Sequence, residues 1–161
     1  MPVSDILKGK QILVVDDEPE ILEIVSEQLV DSNVTTAHDF QAAKKLILDR
    51  RFDLVLLDIM GVNGFELLKL SGQRDIPAAM LTSHAINVES LNKAVQFGAV
   101  SFLPKDDLYR LPELVVEILE GLEEGRSHWK KLFDRLGPFF KERLGVSWDD
   151  LEKPESPPYA Y

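Results

Sequence analysis

The sequence predicts an α/β fold: a five-stranded parallel sheet covered by helices on both faces, with a helical extension at the C-terminal end. Short apolar runs such as Gln11-Ile12-Leu13-Val14-Val15 and Asp53-Leu54-Val55-Leu56-Leu57-Asp58 lack polar alternation, as parallel strands buried on both faces do. Each run is followed by a segment whose apolar residues recur three and four positions apart. Five rounds of strand then helix imply right-handed crossovers within one sheet.

The first run, residues 11–15, leads to a helix carrying Ile21, Leu22, Val25 and Leu29 on one face. Asp17-Glu18-Pro19-Glu20 reads locally as the start of that helix, with Asp17 as cap, proline in the first turn and Glu20 three residues after the cap. Residues 33–37 are the least apolar of the five strands, and Phe40, Ala43, Leu46 and Ile47 mark the helix after them. The third strand, residues 53–58, precedes a helix with Phe65, Leu67 and Leu68. Ala78-Ala79-Met80-Leu81-Thr82 precedes a helix with Val88, Leu91 and Val95. Val100-Ser101-Phe102-Leu103-Pro104 closes the sheet, and residues 111–122 follow with Leu114, Val115, Ile118 and Leu119 on one face.

At 161 residues there is room for one domain, placed at residues 1–125, and an appendage at residues 126–161. Hydrophobic residues make up 45% of the chain and charged residues 29%, so it can bury a core and keep a solvated surface. The longest apolar stretches, such as Leu54-Val55-Leu56-Leu57, fall far short of the roughly 20 residues of a membrane-spanning helix. The first residues lack the basic and apolar regions of a secretory signal. A chain without cysteine has no disulfide or thiolate chemistry. These features place the expected location in the cytoplasm. A net charge of −10 argues against binding to a nucleic-acid backbone. Residues 1–125 hold 11 Lys and Arg against 22 Asp and Glu, whereas residues 126–161 hold 7 against 6.

Ligands of such sheets bind outside the carboxyl ends of the strands. Those ends carry Asp16 and Asp17 after the first strand, Asp58 at the third, Thr82 at the fourth and Lys105 after the fifth. Alone, each has an ordinary role: a cap, a solvated lysine, a β-branched strand residue. Together they place three carboxylates, a hydroxyl and a cation on one rim. Adjacent carboxylates repel unless a cation neutralises them, and an oxygen-only set suits Mg²⁺. A carboxylate can also serve as a nucleophile that forms an acyl phosphate, while a lysine and a metal neutralise the phosphoryl oxygens. Asp58, Lys105 and Thr82 would supply the nucleophile, the cation and the hydroxyl donor. His38, His84 and His128 show no ligand spacing and read as surface or loop residues.

The stretches Val14-Val15-Asp16-Asp17-Glu18-Pro19, Leu56-Leu57-Asp58-Ile59-Met60, Leu81-Thr82-Ser83-His84-Ala85 and Phe102-Leu103-Pro104-Lys105 resemble the receiver domains of two-component response regulators over residues 9–124. The resemblance implies a flavodoxin-like fold with strand order 2-1-3-4-5 and phosphorylation by a sensor histidine kinase or a phosphotransfer protein. Carried across, it makes Asp58 the phosphoacceptor and Asp16 and Asp17 the acid pair that, with Asp58 and the backbone carbonyl of Met60, holds Mg²⁺. Lys105 and Thr82 would contact the phosphoryl group. Thr82 would be the switch hydroxyl and Phe102 the switch aromatic. Two departures stand out. The family pattern places glycine eight positions after the phosphoacceptor, whereas Gly64 comes six after Asp58, so the loop is two residues short. The family lysine is usually followed by proline, and Lys105 is followed by Asp106, which predicts a trans, more flexible connection.

Beyond residue 125, Trp129, Leu132, Phe133, Leu136 and Phe140 form an aromatic-rich stripe at helical spacing, opposed by basic residues. It reads either as extra core folded onto the domain or as a surface for homodimerisation or docking of another protein. The segment is too short for a DNA-binding output domain. The function that follows is a phosphorylation-activated switch acting on a downstream protein by direct contact, without turnover of a metabolite. The alternative is a degenerate receiver that binds partners regardless of phosphate. A haloacid-dehalogenase-type phosphatase would need an Asp-x-Asp-x-Thr motif, and Asp58 is followed by Ile59, Met60, Gly61 and Val62.

Overall fold

The computed structural model describes residues 2–83 and 87–124. Its elements are α1 (Val3–Leu7), β1 (Gln11–Val15), α2 (Pro19–Gln28), β2 (Asn33–Ala37), α3 (Phe40–Asp49), β3 (Leu54–Asp58), α4 (Gly64–Gln73), β4 (Ala78–Thr82), α5 (Val88–Gln96), β5 (Ser101–Pro104) and α6 (Leu111–Glu124). A 3₁₀ segment over Lys105–Arg110 joins β5 to α6. The stripe Trp129, Leu132, Phe133, Leu136 and Phe140, the proposed extension and His84 lie outside the described residues.

The sheet is parallel throughout, in the order β2-β1-β3-β4-β5, the flavodoxin-like order. Strands β1, β3, β4 and β5 are apolar on both sides because both sides are covered, whereas the edge strand β2 is partly exposed. Leu13, Val15, Val55, Leu57, Met80 and Phe102 face α3, α4 and α5 in one buried cluster. Ile12, Val14, Leu54, Leu56, Leu81 and Leu103 face α2 and α6 in another. Each fully buried Leu, Ile or Val contributes roughly 1.5–3 kcal/mol, so these two layers dominate the driving force for folding.

Helix α1 was not expected from the sequence, since five residues give too little periodicity to read. It is fixed by long-range contacts: Leu7 is buried beside α6, and the Ser32 hydroxyl donates to the Leu7 carbonyl at 2.8 Å. The start of α2 differs from the local reading as well. The cap position is Glu18, without a side-chain cap bond, and Pro19 takes the first turn. Asp17 is not the cap, and its carboxylate turns toward Asp58. Caps elsewhere follow the usual chemistry, with Asp39 accepting from the Ala42 amide and Asn87 from the Ser90 amide, both at 2.8 Å.

The loop from β3 to α4 is short enough that the helix begins directly against the strand end. Asn63 adopts the left-handed conformation, with φ 56° and ψ 48°, which Asn tolerates better than most residues. A side chain on Gly64 would collide with the backbone carbonyl of Asp58 and come within 3.3 Å of the Ile59 Cα. Glycine is therefore required there by close approach.

Candidate functional site

The carboxyl ends of β1, β3, β4 and β5 converge on one rim, and the ladder holds the rim in place beyond the strands. The Asp16 amide donates to the Ala37 carbonyl at 3.1 Å, and the Ile59 amide to the Leu81 carbonyl at 3.2 Å. Asp16 is fully buried, Asp58 is 5% exposed and Thr82 is fully buried. Asp17 and Glu18, on the turn into α2, are exposed.

Lys105 reaches back from the end of β5 into this cluster. Its Nζ lies 2.9 Å from Asp16 Oδ2, 3.1 Å from Glu18 Oε1 and 3.4 Å from Asp58 Oδ1, and its side chain is only 13% exposed. Burial pulls the Lys105 ammonium toward the neutral form, but the carboxylates of Asp16, Asp58 and Glu18 outweigh it and hold its pKa above the ordinary lysine value. At Asp16 burial wins: it pushes the carboxyl upward from 3.8, against the opposing pull of the Glu18 amide and Lys105 and with help from the Asp58 charge. The Glu18 amide donates to Asp16 Oδ1 at 2.9 Å, and the Met60 amide makes a long contact of 3.4 Å to Asp58 Oδ1.

The charges do not balance. Four carboxylates, those of Asp16, Asp17, Glu18 and Asp58, share the rim with one lysine, which contacts all but Asp17, and oxygens of the first three lie within 4.8 Å of one another. Asp17 Oδ1 and Asp58 Oδ2 face a common gap, because both would lie under 3.0 Å from a Cβ placed on Gly61. Asp16 Oδ2 is satisfied by the Lys105 ammonium at 2.9 Å, whereas the buried Thr82 Oγ1 makes no hydrogen bond. Buried polar atoms without partners are uncommon and call for an explanation. An oxygen-only donor set with excess negative charge and a gap between two carboxylates fits a small divalent cation such as Mg²⁺. Met60 itself points outward and is 57% exposed. Its carbonyl belongs to the peptide joined to Gly61, the residue that borders the gap.

The structure thus brings Asp16, Asp17, Asp58 and Lys105 together, with Thr82 on the neighbouring strand end. Phe102 stands two residues from the register partner of Thr82, on the same face of the sheet, with its ring fully buried in the core. Two residues were missed in the sequence. Glu18 shares Lys105, and its place in the acidic run was the available signal. Gly61 borders the carboxylate gap, and the two-residue shortening of the loop was the clue. The peptide after Lys105 is trans, as expected, but it runs into the 3₁₀ segment. His38 is on the surface, 3.4 Å from the Asp39 carboxylate. No described helix is long and apolar enough to cross a membrane.

Comparison with known proteins agrees with this fold. The family model of the response regulator receiver domain matches residues 12–116. The nitrogen assimilation regulatory protein NtrX of Azorhizobium caulinodans is 34% identical in an alignment of 128 positions that covers 72% of this chain and 28% of that protein. The crystal structure of NtrX from Brucella abortus superposes with a TM-score of 0.59 at 32% identity, over 72% of this chain and 28% of that one. A response regulator from Thermotoga maritima superposes with a TM-score of 0.62 at 25% identity, over 70% of this chain and 98% of that one. The chain spans roughly a quarter of the length of the NtrX protein it matches.

Proposed function

Because the chain belongs to the family of response-regulator receiver domains, we propose that it is a phosphorylation-activated switch that accepts a phosphoryl group on Asp58 from a sensor histidine kinase or a phosphotransfer protein. The observation that carries this reading is the Lys105 ammonium, whose side chain is 13% exposed, in contact with both Asp16 and Asp58 on the rim where Thr82 holds an unpartnered buried hydroxyl.

An Asp58 carboxylate oxygen attacks phosphorus, the bond from phosphorus to the donor breaks, and the donor leaves with that electron pair. Asp16, Asp17, Asp58 and the Met60 carbonyl would hold Mg²⁺, which offsets negative charge on the transferring group. Lys105, already charged and aimed at Asp58, contacts one phosphoryl oxygen, and Thr82 donates its hydroxyl to another. Once Thr82 is drawn toward the phosphoryl group, the space beside Phe102 on the same face of β4 and β5 changes. That change reaches a downstream protein through the surface over β5 and its neighbouring helices.

The test is intact mass after incubation with a small-molecule phosphodonor, with and without Mg²⁺, for the wild type and Asp58→Asn. A Mg²⁺-dependent gain of one phosphoryl group that vanishes in the variant supports the proposal. The tightness of the shortened loop favours one second reading, a module that binds partners regardless of phosphate. No gain in the wild type, or an equal gain in Asp58→Asn, would make that reading the better one.

A further inference from the structure

We infer that Gly61 is a positioning residue for the cation: its missing side chain keeps open the gap between Asp17 and Asp58 that the shortened loop would otherwise fill. The inference rests on the reading of those two carboxylates as cation ligands.

The loop from β3 to α4 has only five residues between Asp58 and Gly64. With so few, the backbone at residue 61 cannot arch away from the strand ends, and it passes directly over the two acids. A Cβ at this position would lie 2.8 Å from Asp17 Oδ1, 3.1 Å from Asp17 Cγ and closer still to Asp58 Oδ2. Real Cβ atoms essentially never approach that closely, so the carboxylates would have to turn aside. Gly61 does not take a positive φ, so the left-handed conformation that favours glycine is not what requires it there. The three nearest atoms a Cβ would meet all belong to the two carboxylates.

The neighbouring glycine makes the contrast. At Gly64 the colliding atoms are the Asp58 carbonyl and the Ile59 Cα, which are main chain and cannot rotate away. At Gly61 they are the ends of two side chains, one of them exposed. Alanine at 61 is therefore accommodated by splaying Asp17 and Asp58 apart, which leaves the fold standing and dismantles the gap. The site depends on this glycine because the loop is short. A loop longer by two residues would free the position.

The test is calorimetric titration of Mg²⁺ into the full chain for the wild type, Gly61→Ala, Gly72→Ala and Asp17→Asn, with thermal unfolding of each in chelator. A Cβ added at Gly72, on α4, would meet nothing within 4 Å, so that position serves as the matched control. The expected result is Mg²⁺ affinity at least roughly tenfold weaker in Gly61→Ala, the scale of lost ligand orientation, with wild-type affinity in Gly72→Ala and near wild-type melting of Gly61→Ala in chelator. Wild-type affinity in Gly61→Ala, with binding lost in Asp17→Asn, would overturn the inference and leave the site intact. Wild-type affinity in Asp17→Asn would overturn the reading of the site itself. A second comparison holds even if Gly61→Ala folds poorly. With two glycines inserted after Met60, the chain with and without Gly61→Ala should bind Mg²⁺ equally, and a tenfold gap persisting between them would refute the role of loop length.

Discussion

Replacing Lys105 with methionine removes the cation and keeps most of the aliphatic stem, so it isolates the charge. The structure sets the magnitude. The lost ammonium sits 2.9 Å from a fully buried carboxylate and 3.4 Å from one whose side chain is 6% exposed. Breaking a buried ion pair by removing one partner costs about 3–5 kcal/mol, because the other charge stays uncompensated. The contact to Glu18 adds little, since that side chain is 60% exposed and solvated. Carboxylates can also relieve the strain by taking up protons, which favours the lower end, about 3 kcal/mol near neutral pH without Mg²⁺. For a domain of this size that is roughly 10 °C in Tm. The pH dependence follows from Asp16, whose carboxyl burial already raises in the folded state. Losing Lys105 raises it further. A carboxyl that binds its proton more tightly when folded contributes stability that is fully present below its ordinary value of 3.8 and lost as pH rises through the folded value. The deficit of Lys105→Met should therefore be largest near neutral pH and shrink on acidification toward about pH 4. Urea unfolding across that range, in chelator, measures it. Wild-type stability at neutral pH, or a deficit that does not change with pH, would refute the account of a charge-compensated site.

Two further outcomes follow from the same geometry. Thr82→Val swaps an unpartnered buried hydroxyl for a methyl group of the same shape, so the metal-free protein should gain about 1 kcal/mol. It should at the same time lose phosphorylation yield at fixed time, which a melting curve and intact mass on the same sample check. The glycines of α4 should respond in opposite directions. Gly72→Ala should stabilise the helix by roughly 0.5–1 kcal/mol, whereas Gly64→Ala, which meets main chain, should destabilise by about 1–3 kcal/mol, both read from denaturant midpoints.

The sheet was legible because its signal is local. Gln11–Val15, Asn33–Ala37 and Ala78–Thr82 form strands where the apolar runs place them, and the other two begin one residue later than read. Strand order and the polar rim then follow from the alternation of elements and from the rule that ligands sit at the carboxyl ends. What escaped depends on contacts distant in the chain. Helix α1 exists because Leu7 finds the second core and Ser32 finds its carbonyl. Asp17 looked like a cap because Pro19 follows it two residues later, but Asp16 accepts the Glu18 amide and the helix starts one residue further on. Gly61 carried no periodic signal at all. Its significance appears only when the loop's shortness places it over Asp17 and Asp58.

The central claim is that Asp58 itself becomes an acyl phosphate. The most direct measurement is chemical trapping: phosphodonor and Mg²⁺, then borohydride, which reduces an aspartyl phosphate to homoserine, and peptide sequencing by mass spectrometry. The account predicts homoserine at position 58, dependent on phosphodonor and on Mg²⁺. Unmodified Asp58 alongside a phosphoryl group or homoserine at another residue would contradict it.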